Sequence, residues 1–356
     1  MNNDITSALN ALYDRYGYCR YKMSKFEEYD LYAKNKDFLI SDGVITFTDR
    51  NGKLMALKPD VTLSIVKNTC DGKGVQKLYY NENVYRVSKS TKNFKEIMQV
   101  GLECIGDIDE YCIAEALTLA AASLGALSEN AVLCVSDLDI LSQTLEFIGV
   151  GEEKRREAFG LIGEKNLHGL RSLTDEGGFE LIKKLLGIRC EAKKAVKEIE
   201  KLLCGAVANE TLSKFSRVMN AVSVTGYADK VTVDLSVVDD IHYYNGFVFK
   251  GYVEGAPAAV LSGGQYDRLM AKMKRSSEAI GFAVYLDLLD QLNGGKDGYD
   301  CDVLLLYSDE DDIEVLMKNV DLLVKEGYTV SVRKSKDNVR SKKTMKICGG
   351  EVKTVE

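Results

Sequence analysis

Two runs of strand-forming residues, Lys77 to Val87 and Glu96 to Ile105, are separated by only eight residues, among them the polar, basic segment Ser88-Lys-Ser-Thr-Lys-Asn93. A connection that short cannot carry a parallel crossover, so the two runs are expected to pair antiparallel. Each run alternates its side chains between two faces. Along the second, Met98, Val100, Leu102 and Cys104 share one face, and Gln99, Gly101 and Glu103 share the other. Any fold available to this chain therefore holds a long hairpin with one apolar face and one polar, glycine-bearing face.

Further strand signals surround this pair. Gly43-Val-Ile-Thr-Phe-Thr48 and Leu54-Met-Ala-Leu57 flank a turn at Asp49-Arg-Asn-Gly52 and read as a hairpin. Val231, Val233, Leu235 and Val237 alternate with polar residues. Tyr244–Val253 and Ala258–Leu261 are strand-like. Helical periodicity marks residues 3–16, 61–67, Glu115–Leu124 and Ala192–Leu203. Ser136 reads as an N-cap, with Asp139 completing a capping box for a helix ending at Gly149. A last helix of this part is expected from about Ala283 to Leu292. Strands interrupted by a helical insert over about 127–226 indicate an α+β class. Asn293-Gly-Gly-Lys-Asp-Gly298 reads as a linker. Residues 299–356 then read as a small α/β tail, with strands at Asp302–Leu306 and Tyr328–Val332, a helix at Ile313–Lys325 and one more strand at Met345–Cys348, giving a first domain over 1–292.

Composition narrows the function classes. In 356 residues, the 46% hydrophobic content supports a sizeable core. The net charge of −7 argues against a nucleic-acid binder, since neutralising phosphates needs clustered Lys and Arg. The nine cysteines are odd in number and scattered without a Cys-x-x-Cys, so neither a disulfide framework nor a zinc site is expected. With only His168 and His242, a multi-histidine metal or relay site is excluded. No metal and no cofactor are expected. The N-terminus lacks a signal-peptide pattern and no apolar stretch reads as membrane-spanning, so the expectation is a soluble, cytoplasmic protein with no membrane partner.

Five constellations could carry chemistry. The Gln99/Gly101/Glu103 face either receives a ligand or meets solvent. Tyr85-Arg86 offers a guanidinium suited to a carboxylate or phosphate, or is a surface residue. In Leu57-Lys-Pro-Asp-Val-Thr62, Asp60 and Thr62 precede a helix and could cap it, bind, or both. Ser262-Gly-Gly-Gln-Tyr-Asp267 admits a tight turn or a close approach, and is no phosphate loop. His242, between Ile241 and Tyr243, reads as a packed strand residue.

In their order along the chain, these segments, with Tyr243-Tyr244 and Ala279-Ile-Gly-Phe-Ala283, resemble the catalytic domain of histidyl-tRNA synthetases over about residues 5–292. The resemblance implies the class II synthetase fold: an antiparallel sheet flanked by helices, with self-dimerisation through the motif around Phe26-Glu27-Glu28. It implies a histidine-like pocket made of Asp60, Thr62, Gln99, Glu103, Tyr244 and Tyr266, with Arg86 for a carboxylate or α-phosphate. Two synthetase arginines are replaced, by Asp239 and by Leu288 in Tyr285-Leu-Asp-Leu288. Phosphoryl chemistry depends on positioned positive charge, so these are degenerate catalytic positions and no catalytic residue is expected. The Asp60 form of the Pro-Glu motif and the short tail, read as a reduced anticodon-binding remnant, are similar to a paralogous family. Its members are regulatory subunits that partner the short-form catalytic subunit of ATP phosphoribosyltransferase, in the first step of histidine biosynthesis. That resemblance implies a non-catalytic chain that activates its partner and mediates feedback by histidine, with tRNA not a partner. Two alternatives stay open: a histidyl-tRNA synthetase with a divergent site, and a stand-alone amino-acid sensor.

Overall fold

A computed structural model describes residues 2–35, 43–72, 74–87, 93–238, 243–292, 299–348 and 351–355. The chain divides into two compact units, Met1–Gln291 and Leu292–Glu356. The expected linker at 293–298 and the segment 88–92 lie outside the described residues, as do Asp239 and His242.

The strands of the first unit are β1 (Cys19–Arg20), β2 (Phe26–Glu28), β3 (Thr46–Thr48), β4 (Leu54–Leu57), β5 (Gln76–Val87), β6 (Phe94–Gly106), β7 (Ala131–Asp137), β8 (Arg189–Glu191), β9 (Val231–Asp234), β10 (Asn245–Val253), β11 (Leu261–Gln265) and β12 (Glu278–Tyr285). Its helices are α1 (Asn2–Arg15), α2 (Tyr29–Lys34), α3 (Thr62–Asn68), α4 (Glu110–Leu127), α5 (Leu138–Phe147), α6 (Glu152–Gly163), α7 (Leu167–Arg171), α8 (Glu176–Leu186), α9 (Ala192–Leu203), α10 (Asn209–Val222), α11 (Asp267–Lys272) and α12 (Leu286–Leu292).

Nine of these strands form one sheet in the order β1-β5-β6-β12-β11-β10-β7-β9-β8. The long hairpin legible in the sequence is the β5–β6 pair, in register from Gln76↔Ile105 to Val87↔Phe94. The run from β5 to β7 is antiparallel throughout, while β1 joins β5 and β9 joins β7 in parallel. The sheet is therefore mixed rather than purely antiparallel. A second, three-stranded sheet, β2-β4-β3, contains the expected hairpin.

The stretch expected to be helical from residue 127 contains β7 instead. Its sequence, Ala-Val-Leu-Cys-Val-Ser-Asp, is a short run buried along most of its length, and it fills the sheet position between β10 and β9. Such a run lacks the alternation of a half-exposed strand, because both of its faces are covered. Helix α5 starts one residue later than its sequence suggested. The cap is Asp137, whose Oδ1 accepts from the Asp139 and Ile140 amides at 2.9 Å each. The expected helix at Ala283 begins at Leu286, because Ala283–Tyr285 still pair with β6.

Helix α4 corrects a further expectation. By length and composition it is apolar enough to cross a bilayer. In the fold it is the core helix of this unit, with Cys112 through Leu124 all buried. Tyr13 of α1 locks onto it, with Tyr13 Oη and Ser123 Oγ 2.9 Å apart in the interior.

In the second unit, β13 (Cys301–Leu306), β14 (Val330–Arg333), β15 (Ser341–Cys348) and β16 (Glu351–Thr354) form a sheet in the order β14-β13-β15-β16. Helix α13 (Ile313–Lys325) packs Leu316 against Leu305 and Ile347. The tail thus holds one strand, β16, that its sequence had not signalled.

Candidate functional site

The polar face of β6 is continuous with small residues on the strands beside it. Glu103 stands opposite Leu78 on β5 and Gly281 on β12, and Gly281 stands opposite Gly264 on β11. One row along, Gly101 lies between Tyr80 and Ala283, and Ala283 faces Ser262. The next row is Glu82, Gln99 and Tyr285. Glycine, alanine and serine at the central crossings remove side chains from the floor of this face, and three buried polar side chains border it.

Glu103 is the centre of the arrangement. It is 2% exposed, and both of its oxygens are engaged. Thr62 Oγ1 donates to Oε1 at 2.7 Å, and Tyr266 Oη donates to Oε2 at 2.6 Å. Burial pushes the Glu103 carboxyl up to about 8. The two hydroxyls oppose that rise and the neighbouring Asp60 charge adds to it. Asp60, also buried, caps α3 by accepting from the Leu63 amide at 2.9 Å. Its pKa is raised, first by burial, while hydrogen bonds and the Arg86 and Lys58 charges oppose the rise.

Each of these side chains is held by its own element. Thr62 opens α3, whose C-terminal carbonyls at Val66 and Thr69 both accept from Arg275 Nη1 at 2.7 Å. Arg275 Nε in turn donates to Asp71 at 2.8 Å. Tyr266 sits where β11 turns into α11, with its amide on Ala279 O at 2.9 Å. Asp267 fixes that corner by accepting from the Ala279 amide at 2.9 Å and from Asn245 Nδ2 at 2.6 Å. Tyr243 and Tyr244 precede β10, their ring centroids 4.5 Å apart, and Tyr243 reaches within 5.9 Å of the Tyr266 ring. A Cβ on Gly264 would come within 2.7 Å of the Tyr244 ring. So the two glycines of Ser262-Gly-Gly-Gln-Tyr-Asp267 serve close approach within a strand, and no turn forms there.

Of the residues singled out from sequence, Asp60, Thr62, Glu103, Tyr244 and Tyr266 converge on this face, with Gln99 two rows from Glu103. Arg86 reaches its edge, where Nε donates to Pro59 O at 2.9 Å. Asp239 lies outside the described residues. Leu288 is half-buried on α12, and its neighbour Asp287 keeps a buried Oδ1 without a hydrogen-bond partner among the described residues. Burial raises the Asp287 pKa, with Lys95 and Arg86 among the charges opposing it. Sequence reasoning missed Tyr80, Lys58 and Glu82. Tyr80 and Glu82 share the site face of β5 by simple alternation, a signal that was available. Lys58 could not be found that way, because its ion-pair partner Glu82 is 24 residues away.

The family model for histidyl-tRNA synthetase matches residues 1–289. A protein of Clostridium kluyveri named ATP phosphoribosyltransferase regulatory subunit is 27% identical over 344 residues, covering 92% of this chain and 88% of the relative. The structure of an ATP phosphoribosyltransferase regulatory subunit/histidyl-tRNA synthetase from Bacillus halodurans superposes with a TM-score of 0.71. It is 23% identical and covers 93% of this chain and 88% of the other. A chain in an ATP phosphoribosyl transferase (HisG:HisZ) complex from Thermotoga maritima superposes with a TM-score of 0.63 at 16% identity, covering 80% of this chain and 97% of that one. The chain belongs to the histidyl-tRNA synthetase family.

Proposed function

We propose that this member of the histidyl-tRNA synthetase family is a regulatory subunit of ATP phosphoribosyltransferase, the enzyme of the first step of histidine biosynthesis, and catalyses no reaction itself. Relatives carrying that name align along most of their own length, and the similar Thermotoga maritima chain belongs to a complex of that enzyme. In this reading the chain activates a short-form catalytic subunit and transmits feedback inhibition by histidine.

The observation that carries the reading is an asymmetry of the site. On the side of Glu103, a buried carboxyl is oriented by Thr62 and Tyr266 and walled by tyrosines. This suits a small ligand that offers hydrogen bonds and a cationic or aromatic group. On the side of α12, Leu288 replaces an arginine of the synthetase pattern, and the adjacent carboxyl of Asp287 brings negative charge. A triphosphate needs clustered cations there, not a carboxylate and a leucine. An amino-acid side without an ATP side fits a sensor, not an activating enzyme.

The same reading includes self-association through the β2-β4-β3 sheet. Glu27 is turned inward, accepting from Ser64 Oγ at 2.9 Å and Lys67 Nζ at 2.8 Å, whereas Phe26 and Phe47 stack edge to face on the outer surface, 51% and 39% exposed. A membrane and tRNA are not partners in this scheme. The first unit, the linker at 293–298 and the 299–356 tail are taken as the synthetase-like domain and a reduced anticodon-binding remnant.

The decisive experiment mixes the purified chain with a short-form catalytic subunit. A complex whose phosphoribosyl transfer rises above that of the catalytic subunit alone, and falls again with histidine, is the expected result. No complex and no gain would sink the reading. Robust histidine-dependent ATP–pyrophosphate exchange by this chain alone would instead make it an active synthetase. Histidine binding without any phosphoribosyltransferase partner would make it a stand-alone sensor.

A further inference from the structure

Lys58 is buried completely, at 0% exposure, yet its ammonium has one acceptor, Glu82 Oε2 at 2.9 Å. An ammonium carries three N–H donors, so two are left without a partner among the described residues, and unused donors are costly in an interior. The place where this happens matters. Glu82 is opposite Gln99 on the same sheet face as Glu103, so the ammonium sits at the Gln99 end of the candidate site. Two residues on from Lys58, Asp60 enters the site, and Arg86 meets the intervening Pro59 through its carbonyl. Two cations, Lys58 and Arg86, thus bracket Asp60, and both figure among the charges that favour its ionised form. Burial also lowers the Lys58 pKa, with Glu82 opposing the fall, as expected of a charge that lacks full compensation.

We propose that Lys58, together with Arg86, receives the carboxylate of an amino-acid ligand, with Glu82 holding the ammonium in place until the ligand arrives. The proposal rests on the reading of this face as an amino-acid site. A carboxylate would fill the unused Lys58 donors and stand beside Glu82 as a second hydrogen-bonded anion, in addition to the more distant charges of Asp60 and Glu27. The ligand's ammonium would be left to Asp60 and Gln99, and its side chain would lie toward Glu103. Lys58 then sets specificity: it makes the site demand a carboxylate, where the retained tyrosines and Glu103 alone would accept the corresponding amine.

Histidine and histamine, which differ only by the carboxylate, separate these ideas by titration calorimetry on the full chain. In the unaltered protein histidine should bind more tightly than histamine. Lys58→Met should weaken histidine by about tenfold or more, as loss of one buried charge partner does, and leave histamine unchanged. An unchanged ratio of the two affinities in Lys58→Met would overturn the proposal. Should that variant not fold, Glu82→Gln gives the same decision from the other side. Freeing Lys58 from its internal partner should raise the preference for histidine, and a preference that stays level or falls overturns it. If neither ligand binds the unaltered protein, the amino-acid reading itself fails, and the role of Lys58 fails with it.

Discussion

Gly281 and Glu103 face each other directly across the β6–β12 ladder, and a methyl group on Gly281 would overlap Glu103 Oε2. The carboxyl can lie flat over the sheet and meet Thr62 and Tyr266 only because its cross-strand neighbour has no side chain. Gly281→Ala should therefore displace Glu103 and break at least one of its hydrogen bonds. The expected cost is about 1–3 kcal/mol, the range for overpacking a tight interior. Urea denaturation measures it. A change below a few tenths of a kcal/mol would mean the carboxyl has room that the structure does not indicate.

The carboxyl of Glu103 should also leave a mark on stability against pH. Its pKa in the fold is about 8 against an ordinary 4.5, so the folded protein holds a proton there that the unfolded chain gives up. Its contribution to stability is complete below pH 4.5 and is lost as pH rises through about 8. Glu103→Gln removes that dependence, while the raised carboxyls of Asp60 and Asp137 persist in both proteins. The Tm of the wild type minus that of the variant should fall between about pH 5 and 8. A flat difference would place the titration elsewhere. Under the proposed function, Glu103→Ala should in addition abolish thermal stabilisation by histidine while the fold persists.

Exposed aromatic surface at Phe26 and Phe47 is the outer face of the sheet read as a self-association surface. Phe26→Glu puts a charge where a partner's apolar surface would lie, and the residue is 51% exposed, so the isolated fold should tolerate it. Sedimentation should report a dimer for the unaltered chain and a monomer for the variant. A dimer that survives the charge would move the interface away from this sheet.

The core of the first unit offers a stability test independent of function. Leu119 lies in the middle of α4 and has 0% exposure. Leu119→Ala should cost about 2–5 kcal/mol, the lost transfer energy plus the cavity it leaves. The Tyr13→Phe change removes only the hydroxyl contact with Ser123, also buried, and should cost nearer 1 kcal/mol. Denaturant midpoints at constant slope would check both.

Local pattern determined a good deal of this protein. The alternation of Gln99, Gly101 and Glu103 fixed which residues share the site face, and the polar segment between two long runs fixed the β5–β6 hairpin, because side-chain direction in a strand has a period of two. The order of short motifs along the chain pointed to the family. What sequence could not decide were relationships between residues far apart in the chain. Buried on both faces, β7 has no alternation to read, and α4 has the composition of a membrane span until the sheet that covers it is known. The pairing of Gly281 with Glu103, the meeting of Thr62 and Tyr266 on one carboxyl, and the ion pair of the buried Lys58 with Glu82 all depend on strand order and register. Those are settled by which surfaces bury one another, and only the tertiary structure sets that.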